Sequence, residues 1–99
     1  RFDVAPDGSL SGGEVIATLP GGRRRPDGLK VDEAGRIYCA GPGGINIFLP
    51  SGELLGILQP PEHCRNFCFG GPDRSEIYLA ASTTIYRLQT NTRGIRYFE

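Results

Sequence analysis

The stretch GLKVDEAGRIYCAGPGGINIFLPSGELLGIL, residues 28–58, decides the fold of this chain. Four apolar runs rich in Ile, Leu, Val, Phe and Tyr alternate there with short turns that contain Gly, Pro, Asp or Ser. Runs of this kind, bounded by turn residues, are typical of β-strands. We therefore predict four antiparallel strands that follow one another in the chain, at 28–32, 36–40, 45–49 and 53–58.

The same pattern continues on both sides of this stretch. Turn signals recur every eight to twelve residues, and the chain holds 15 Gly and 8 Pro in 99 residues. No segment keeps a 3.6-residue apolar period long enough to predict a helix. The sequence therefore predicts an all-β protein. Further strands are predicted at 1–4, 14–19, 66–69, 76–81, 83–88 and 94–98.

An internal repeat groups these strands into blades. Ile37-Tyr38 recurs as Ile77-Tyr78 forty residues later, and Ile45 recurs as Ile85 at the same offset. A period near 40 residues that holds four strands is the pattern of a β-propeller blade. The repeat predicts about two and a half four-stranded antiparallel blades: 1–19 ends one blade, 26–58 forms a full blade, and 65–98 forms a further blade.

Two and a half blades are too few for a closed propeller, which typically has four to eight. The chain is therefore expected to belong to a larger propeller or to assemble with further copies of itself. Three chains of about two blades each would close a six-bladed ring. Because the chain begins with Arg1 rather than Met, we expect it to be a piece of a longer chain.

The charge and the cysteine content indicate which partners and which cellular compartment to expect. The 11 basic and 11 acidic residues give a net charge of zero, so no nucleic-acid or membrane partner is expected. No apolar run approaches the length of a membrane span. The three cysteines are expected to be buried free thiols, which favours a reducing compartment. We therefore expect a cytoplasmic protein, or a periplasmic one if a longer parent carries a signal peptide.

Three segments, taken in order, resemble a known family. They are RFDVAPDGSLSGGEVIATL at 1–19, RPDGLKVDEAGRIYCAGPGGINIFLPSGELLGIL at 25–58 and RNFCFGGPDRSEIYLAASTTIYRL at 65–88. Together they are similar to the C-terminal part of the gluconolactonase, regucalcin (SMP-30) and lactonase family. The resemblance implies a six-bladed propeller with one divalent cation in its central channel. It also implies hydrolysis of a sugar-acid lactone or a related ester.

The resemblance assigns a role to one aspartate. Among the three protein ligands of the family's metal, Asp27 of the Pro26-Asp27-Gly28 step matches one, while the matching Glu and Asn would lie outside this chain. Asp27 is thus the candidate metal ligand and catalytic residue, with a share in activating water. Oxygen ligands favour Ca²⁺, and Zn²⁺, Mg²⁺ and Mn²⁺ remain open. The alternative is a plain turn, as expected for Asp7 in the outer Pro-Asp-Gly step at 6–8.

Two neighbouring polar residues are candidates for substrate binding. Asn66 lies where the next blade begins, and its amide is expected to hydrogen-bond the substrate or a water on the metal. Arg65 is expected to pair with a sugar-acid carboxylate through its planar fork. The alternative for Asn66 is a side chain that only satisfies a turn. The run at 23–25 is read as a solvated loop of three arginines, or as a rim that attracts anionic substrates.

The function predicted from these residues is that of a C-terminal fragment of a metal-dependent lactonase. In that reading the metal polarises the lactone carbonyl and activates water, and the partner is a small molecule of the sugar-lactone type. The alternative is a non-enzymatic propeller module that closes by oligomerisation and binds a sugar or a protein.

Overall fold

The structure is a computed structural model that describes residues 1–21 and 25–96. Nine strands and no helix occur in these two ranges, so no helix that could cross a membrane is found there. The strands are β1 (Asp3–Val4), β2 (Leu10–Ser11), β3 (Leu29–Val31), β4 (Ile37–Gly41), β5 (Gly44–Phe48), β6 (Leu54–Leu58), β7 (Cys64–Gly70), β8 (Glu76–Ala81) and β9 (Ile85–Gln89).

The strands form three antiparallel sheets in chain order. A short two-stranded hairpin of β1 and β2 comes first in the chain. It is followed by two larger sheets, which are called the first sheet, in the order β3-β4-β5-β6, and the second sheet, in the order β7-β8-β9. The four strands predicted within 28–58 are confirmed to within one residue at each end. Each turn between them is tight, and Gly43 at φ 79° supplies the left-handed backbone that the β4–β5 turn needs.

The core lies between the two larger sheets. Alternate residues of a strand face opposite sides, so the first sheet presents Tyr38, Ala40 and Ile45 to the second. Phe67 and Leu79 of the second sheet face them, and all five side chains are buried. The two sheets therefore pack face to face through apolar side chains, as neighbouring propeller blades do.

Two strand predictions were wrong in the described part of the chain. Residues 14–19 lie outside the strands: apart from the bonds between the backbone groups of Glu14 and Arg1, they form no ladder with another described segment, and β1 pairs with β2 instead. Residues 94–96 do not continue the second sheet. Gly94 bridges to Asp32 and the Ile95 N–H bonds to the Val31 carbonyl, so this end of the chain returns to the first sheet. Residues 97 and 98 of that prediction lie outside the described residues.

A buried carboxylate fastens this returning segment. Asp32 is 1% exposed, and its Oδ2 accepts bonds from Arg36 Nε (2.7 Å), Tyr38 Oη (3.1 Å) and Thr92 Oγ1 (3.1 Å). Its Oδ1 accepts from the backbone N–H groups of Ala34 and Arg36. Because Thr92 lies sixty residues away in the sequence, Asp32 ties the first sheet to the end of the second.

The cysteine prediction was right for two thiols and wrong for the third. All three cysteines are free, and Cys39 and Cys64 are buried. Cys68 is exposed, because it lies on the face of β7 opposite to the core residues Phe67 and Phe69.

Candidate active-site cleft

Asp27 is held where the inner strands of the two sheets meet. Its backbone N–H donates to the Ala40 carbonyl at 2.9 Å, and the next N–H, of Gly28, donates to the Arg65 carbonyl at 2.8 Å. The first bond ties Asp27 to β4 of its own sheet and the second ties its neighbour to β7. The position just before β3, predicted from the sequence, is therefore fixed by backbone contacts with both sheets.

Gly28 makes this close approach possible. A Cβ built on Gly28 would contact the Asn66 side chain and would come within 2.9 Å of the Asn66 Cα. A side chain at residue 28 would therefore push β7 away from Asp27. The Gly of the Pro-Asp-Gly step has a packing role here that the turn motif alone does not reveal.

The Asp27 carboxylate opens into a cleft of about 290 Å³. The residues that line it come from the loop before β3, the end of β4 and the start of β7. They are Arg25, Pro26, Asp27, Gly41, His63, Cys64 and Arg65. The cleft thus brings one carboxylate together with two guanidinium groups and an imidazole, a mixture suited to a polar, partly anionic ligand.

The predicted site residues separate into two groups. Asp27 and Arg65 are both exposed and line the same cleft. Asn66 is exposed beside the cleft but does not line it. Its Oδ1 accepts the N–H of Phe67 at 2.9 Å and lies 3.5 Å from Lys30 Nζ. The bond to Phe67 is local, because the two residues are neighbours within β7.

Two residues of the cleft were missed or set aside at the level of sequence. Arg25 lines the cleft, although its run had been read first as a solvated loop; Arg23 and Arg24 lie outside the described residues. Adjacency to Pro26-Asp27 is the signal that could have set Arg25 apart from the rest of its run. Cys64 also lines the cleft, but burial raises the pKa of its thiol, and the negative charge of Asp27 raises it further. Cys64 is therefore a neutral thiol near pH 7 and a poor nucleophile.

Comparisons with known proteins agree with this architecture. The family described as "SMP-30/Gluconolactonase/LRE-like region" matches residues 1–83. The chain belongs to this family. It is 38% identical over 71 residues to the gluconolactonase of Zymomonas mobilis, and the match covers 70% of this chain and 20% of that protein. It is 31% identical over 94 residues to a lactonohydrolase of Aspergillus oryzae, covering 94% of this chain and 20% of that protein.

Solved structures of the family show the same fold. A structural-genomics target described as a candidate gluconolactonase superposes with a TM-score of 0.85 at 32% identity, over 98% of this chain and 33% of that one. The gluconolactonase of Xanthomonas campestris gives a TM-score of 0.75 at 26% identity, over 89% and 28%. A luciferin-regenerating enzyme, at 22% identity and a TM-score of 0.80, shares the fold. The chain spans about a fifth of the curated relatives it matches.

Proposed function

We propose that this chain forms part of a lactone-hydrolysing propeller, with the Asp27 cleft in its active site and sugar-acid lactones as its substrates. The observation that carries the proposal is the position of Asp27, exposed in a cleft between two blades of a gluconolactonase-family chain. The relatives named as a gluconolactonase and a lactonohydrolase support the substrate class. Because the chain covers a fifth of their length, the activity is assigned to the complete propeller.

The residues of the cleft suit the two requirements of this reaction, which are a group that accepts a proton from water and positive charge that stabilises the oxyanion. Hydrolysis joins a water oxygen to the lactone carbonyl carbon and breaks the ring C–O bond; one proton of the water passes to the ring oxygen, which leaves as a hydroxyl. In this proposal Asp27 accepts the proton from the attacking water. Arg65 and Arg25 supply positive charge for the oxyanion that develops and for the product carboxylate.

We also propose that Asp27 gives one oxygen ligand to a divalent cation, with Ca²⁺ favoured. The donor type fits, but the number does not: a divalent cation of this kind takes about six or more oxygen ligands. The described residues contain no group of three acidic, His or Cys side chains that could hold a metal. Further ligands would have to be backbone carbonyls, amide oxygens, water or residues beyond those described, so the described acidic, His and Cys side chains by themselves do not fit a resident cation. A bound cation would polarise the carbonyl and acidify water.

The chain contains its own control for testing Asp27. Asp7 lies in an identical Pro-Asp-Gly step, but in the exposed β1–β2 hairpin, where it caps the N–H and hydroxyl of Ser9. We expect Asp27→Asn to lower hydrolysis of glucono-δ-lactone by at least about 100-fold, the typical contribution of a positioned acid–base group. Asp7→Asn is expected to leave the rate within twofold. Activity is measured with a pH indicator in the complete propeller, above the spontaneous rate and with Ca²⁺ present.

Two results would contradict the proposal. One is a wild-type protein with no activity above the spontaneous rate. The other is an equal loss of hydrolysis in Asp27→Asn and Asp7→Asn, which would show that the activity requires intact Pro-Asp-Gly turns rather than the carboxylate in the cleft. Calorimetric titration with Ca²⁺ alone separates the two roles of Asp27: tight binding retained in Asp27→Asn would remove it from the metal site and leave only the proton-accepting role.

A further inference from the structure

Arg65 lies in a β-bulge at the start of β7. Cys64 and Asn66 pair with consecutive residues of β8, so Arg65 is an extra residue without a partner in the ladder. The burial pattern shows the effect of this extra residue, because Cys64 and Phe67 are both core residues, at 1% and 4% exposure. Residues three positions apart in a regular strand face opposite sides, so the bulge resets the alternation of β7.

The bulge decides which way Arg65 faces. In a regular strand, residue 65 would lie on the same face as Phe67 and would enter the core. An unpaired guanidinium is costly there. With the bulge, Cys64 takes the core position, and Arg65 is exposed and lines the cleft. Bulges next to active sites often re-aim a side chain in this way.

Two contacts hold the bulge at its own position. The Gly28 N–H donates to the Arg65 carbonyl at 2.8 Å, and the Cys64 thiol donates to the Asn66 carbonyl at 3.1 Å. These bonds use carbonyl groups at the point where the ladder is interrupted. Neither bond fixes residues 59–63, the segment that leads from the first sheet into the bulge.

Glu62 fastens this entering segment to the second sheet. Its Oε2 accepts the N–H of Thr83 at 2.8 Å, and its Oε1 accepts the hydroxyls of Thr83 (2.7 Å) and Thr84 (3.1 Å). Both threonines lie in the turn between β8 and β9. The bonds from the side chain and then the backbone of Thr83 hold the pKa of Glu62 below its usual 4.5, so the group is a carboxylate at neutral pH.

We propose that Glu62 is a positioning residue for Arg65: it anchors the start of β7 to the β8–β9 turn and so maintains the bulge that directs the guanidinium to the cleft. Glu62 does not line the cleft, and it acts through Arg65, three residues later. The inference rests on the proposed function, in which Arg65 binds the carboxylate of a sugar acid. Firm anchoring matters there, because a misplacement of about 1 Å can cost about 100-fold in rate.

Binding of gluconate, the open sugar acid, tests this role without turnover. Calorimetry on the complete propeller, at neutral pH and a fixed Ca²⁺ concentration, gives the dissociation constant. Arg65→Ala is expected to raise it about 10- to 100-fold through the loss of a charge-assisted contact. Glu62→Ala is expected to raise it about tenfold, as is typical of coupled residues in one network. The double variant should match Arg65→Ala alone, because Glu62 affects the ligand only through Arg65.

Three further variants sharpen the test. Glu62→Gln should keep the affinity within about twofold, because its amide oxygen can accept the Thr83 N–H and both hydroxyls can turn to accept from its NH₂ group. Asp73→Ala is the matched control: Asp73 accepts the N–H and hydroxyl of Ser75 in the turn at the other end of β7, and its loss should leave the affinity unchanged. If Glu62→Ala does not fold, Thr83→Val removes one hydroxyl bond, keeps the N–H, and should raise the constant about threefold.

Several results would overturn the proposal. One is a wild-type propeller that does not bind gluconate, and another is an unchanged constant in Glu62→Ala or, where that variant does not fold, in Thr83→Val. A third is an additional loss when Glu62→Ala is combined with Arg65→Ala, or an equal loss in Asp73→Ala, as a general effect on folding would produce. Failure of the proposed function is distinguishable: a wild type that binds gluconate but hydrolyses no lactone would refute that function, while the binding series would still decide the role of Glu62.

Discussion

Replacing Asp32 by Asn tests the view that one buried carboxylate ties the two sheets together. The change keeps the size of the side chain and replaces one oxygen by an NH₂ group. The Oδ1 position can still accept the two backbone N–H groups that it accepts in the wild type, from Ala34 and Arg36. At the other position the new NH₂ faces three donors: Arg36 Nε and the hydroxyls of Tyr38 and Thr92. The hydroxyls can rotate to accept, but the guanidinium of Arg36 cannot.

The loss can be estimated from these contacts. A hydrogen bond to a charged group contributes about 1.5–3 kcal/mol, and a neutral one about 0.5–1.5 kcal/mol. The Arg36 side chain is 33% exposed and part of its contribution is screened, so the expected total is about 2–3 kcal/mol. With a urea dependence of roughly 1 kcal/mol/M for a domain of this size, the midpoint should fall by about 2–3 M.

Urea unfolding at a fixed protein concentration measures this loss. The matched control is Asp73→Asn, which changes an exposed carboxylate that accepts the N–H and hydroxyl of Ser75. We expect its midpoint to move little. A shift of Asp32→Asn no larger than that of the control would refute the claim that Asp32 fastens the sheets.

The same carboxylate predicts an acid dependence of stability. Burial tends to raise the pKa of Asp32, but the hydrogen bonds from Arg36, Tyr38 and Thr92 outweigh it, so the pKa lies below its usual 3.8. The folded state therefore binds the proton less tightly than the unfolded state. The stabilisation is complete above about pH 5. It declines as the pH falls through 4 toward the folded pKa, and Asp32→Asn should remove this part of the acid loss.

Three further outcomes follow from the packing and the pKa directions. Gly28→Ala should destabilise the chain by about 1–3 kcal/mol, because its Cβ meets the Asn66 backbone; Gly56→Ala, with nothing within 4 Å of its Cβ, is the control, and equal urea midpoints would contradict the close approach. Burial, and then the bond to the buried carboxylate, raise the pKa of Tyr38 to about 12, so the stability that this shift provides should be lost as the pH rises from 10 toward 12, and Tyr38→Phe should abolish that alkaline loss in denaturation curves. Cys68 should react with a thiol reagent in the folded chain well before the two buried thiols; three equal rates would refute the assigned burial.

The sequence predicted some of the residues that line the cleft, but not the full set. Asp27 and Arg65 were both singled out, and the cleft brings them together. Asn66 was also singled out, yet its side chain caps the backbone of Phe67. Which polar side chain turns toward a cleft depends on local hydrogen bonds and on bulges, such as the one between Cys64 and Asn66. No pattern in the sequence specifies these features.

The sequence by itself determined the local structure: the strands of the first sheet, their order and turns, and the forty-residue repeat. Those features depend on alternation and turn residues within a few positions, so they can be read from neighbours in the chain. The tertiary structure decided which segments pair. Residues 14–19 have strand composition but no ladder, and Gly94 returns to Asp32 rather than extending its own sheet. A strand exists only when a second backbone lies beside it, and that partner is chosen by contacts between residues far apart in the sequence.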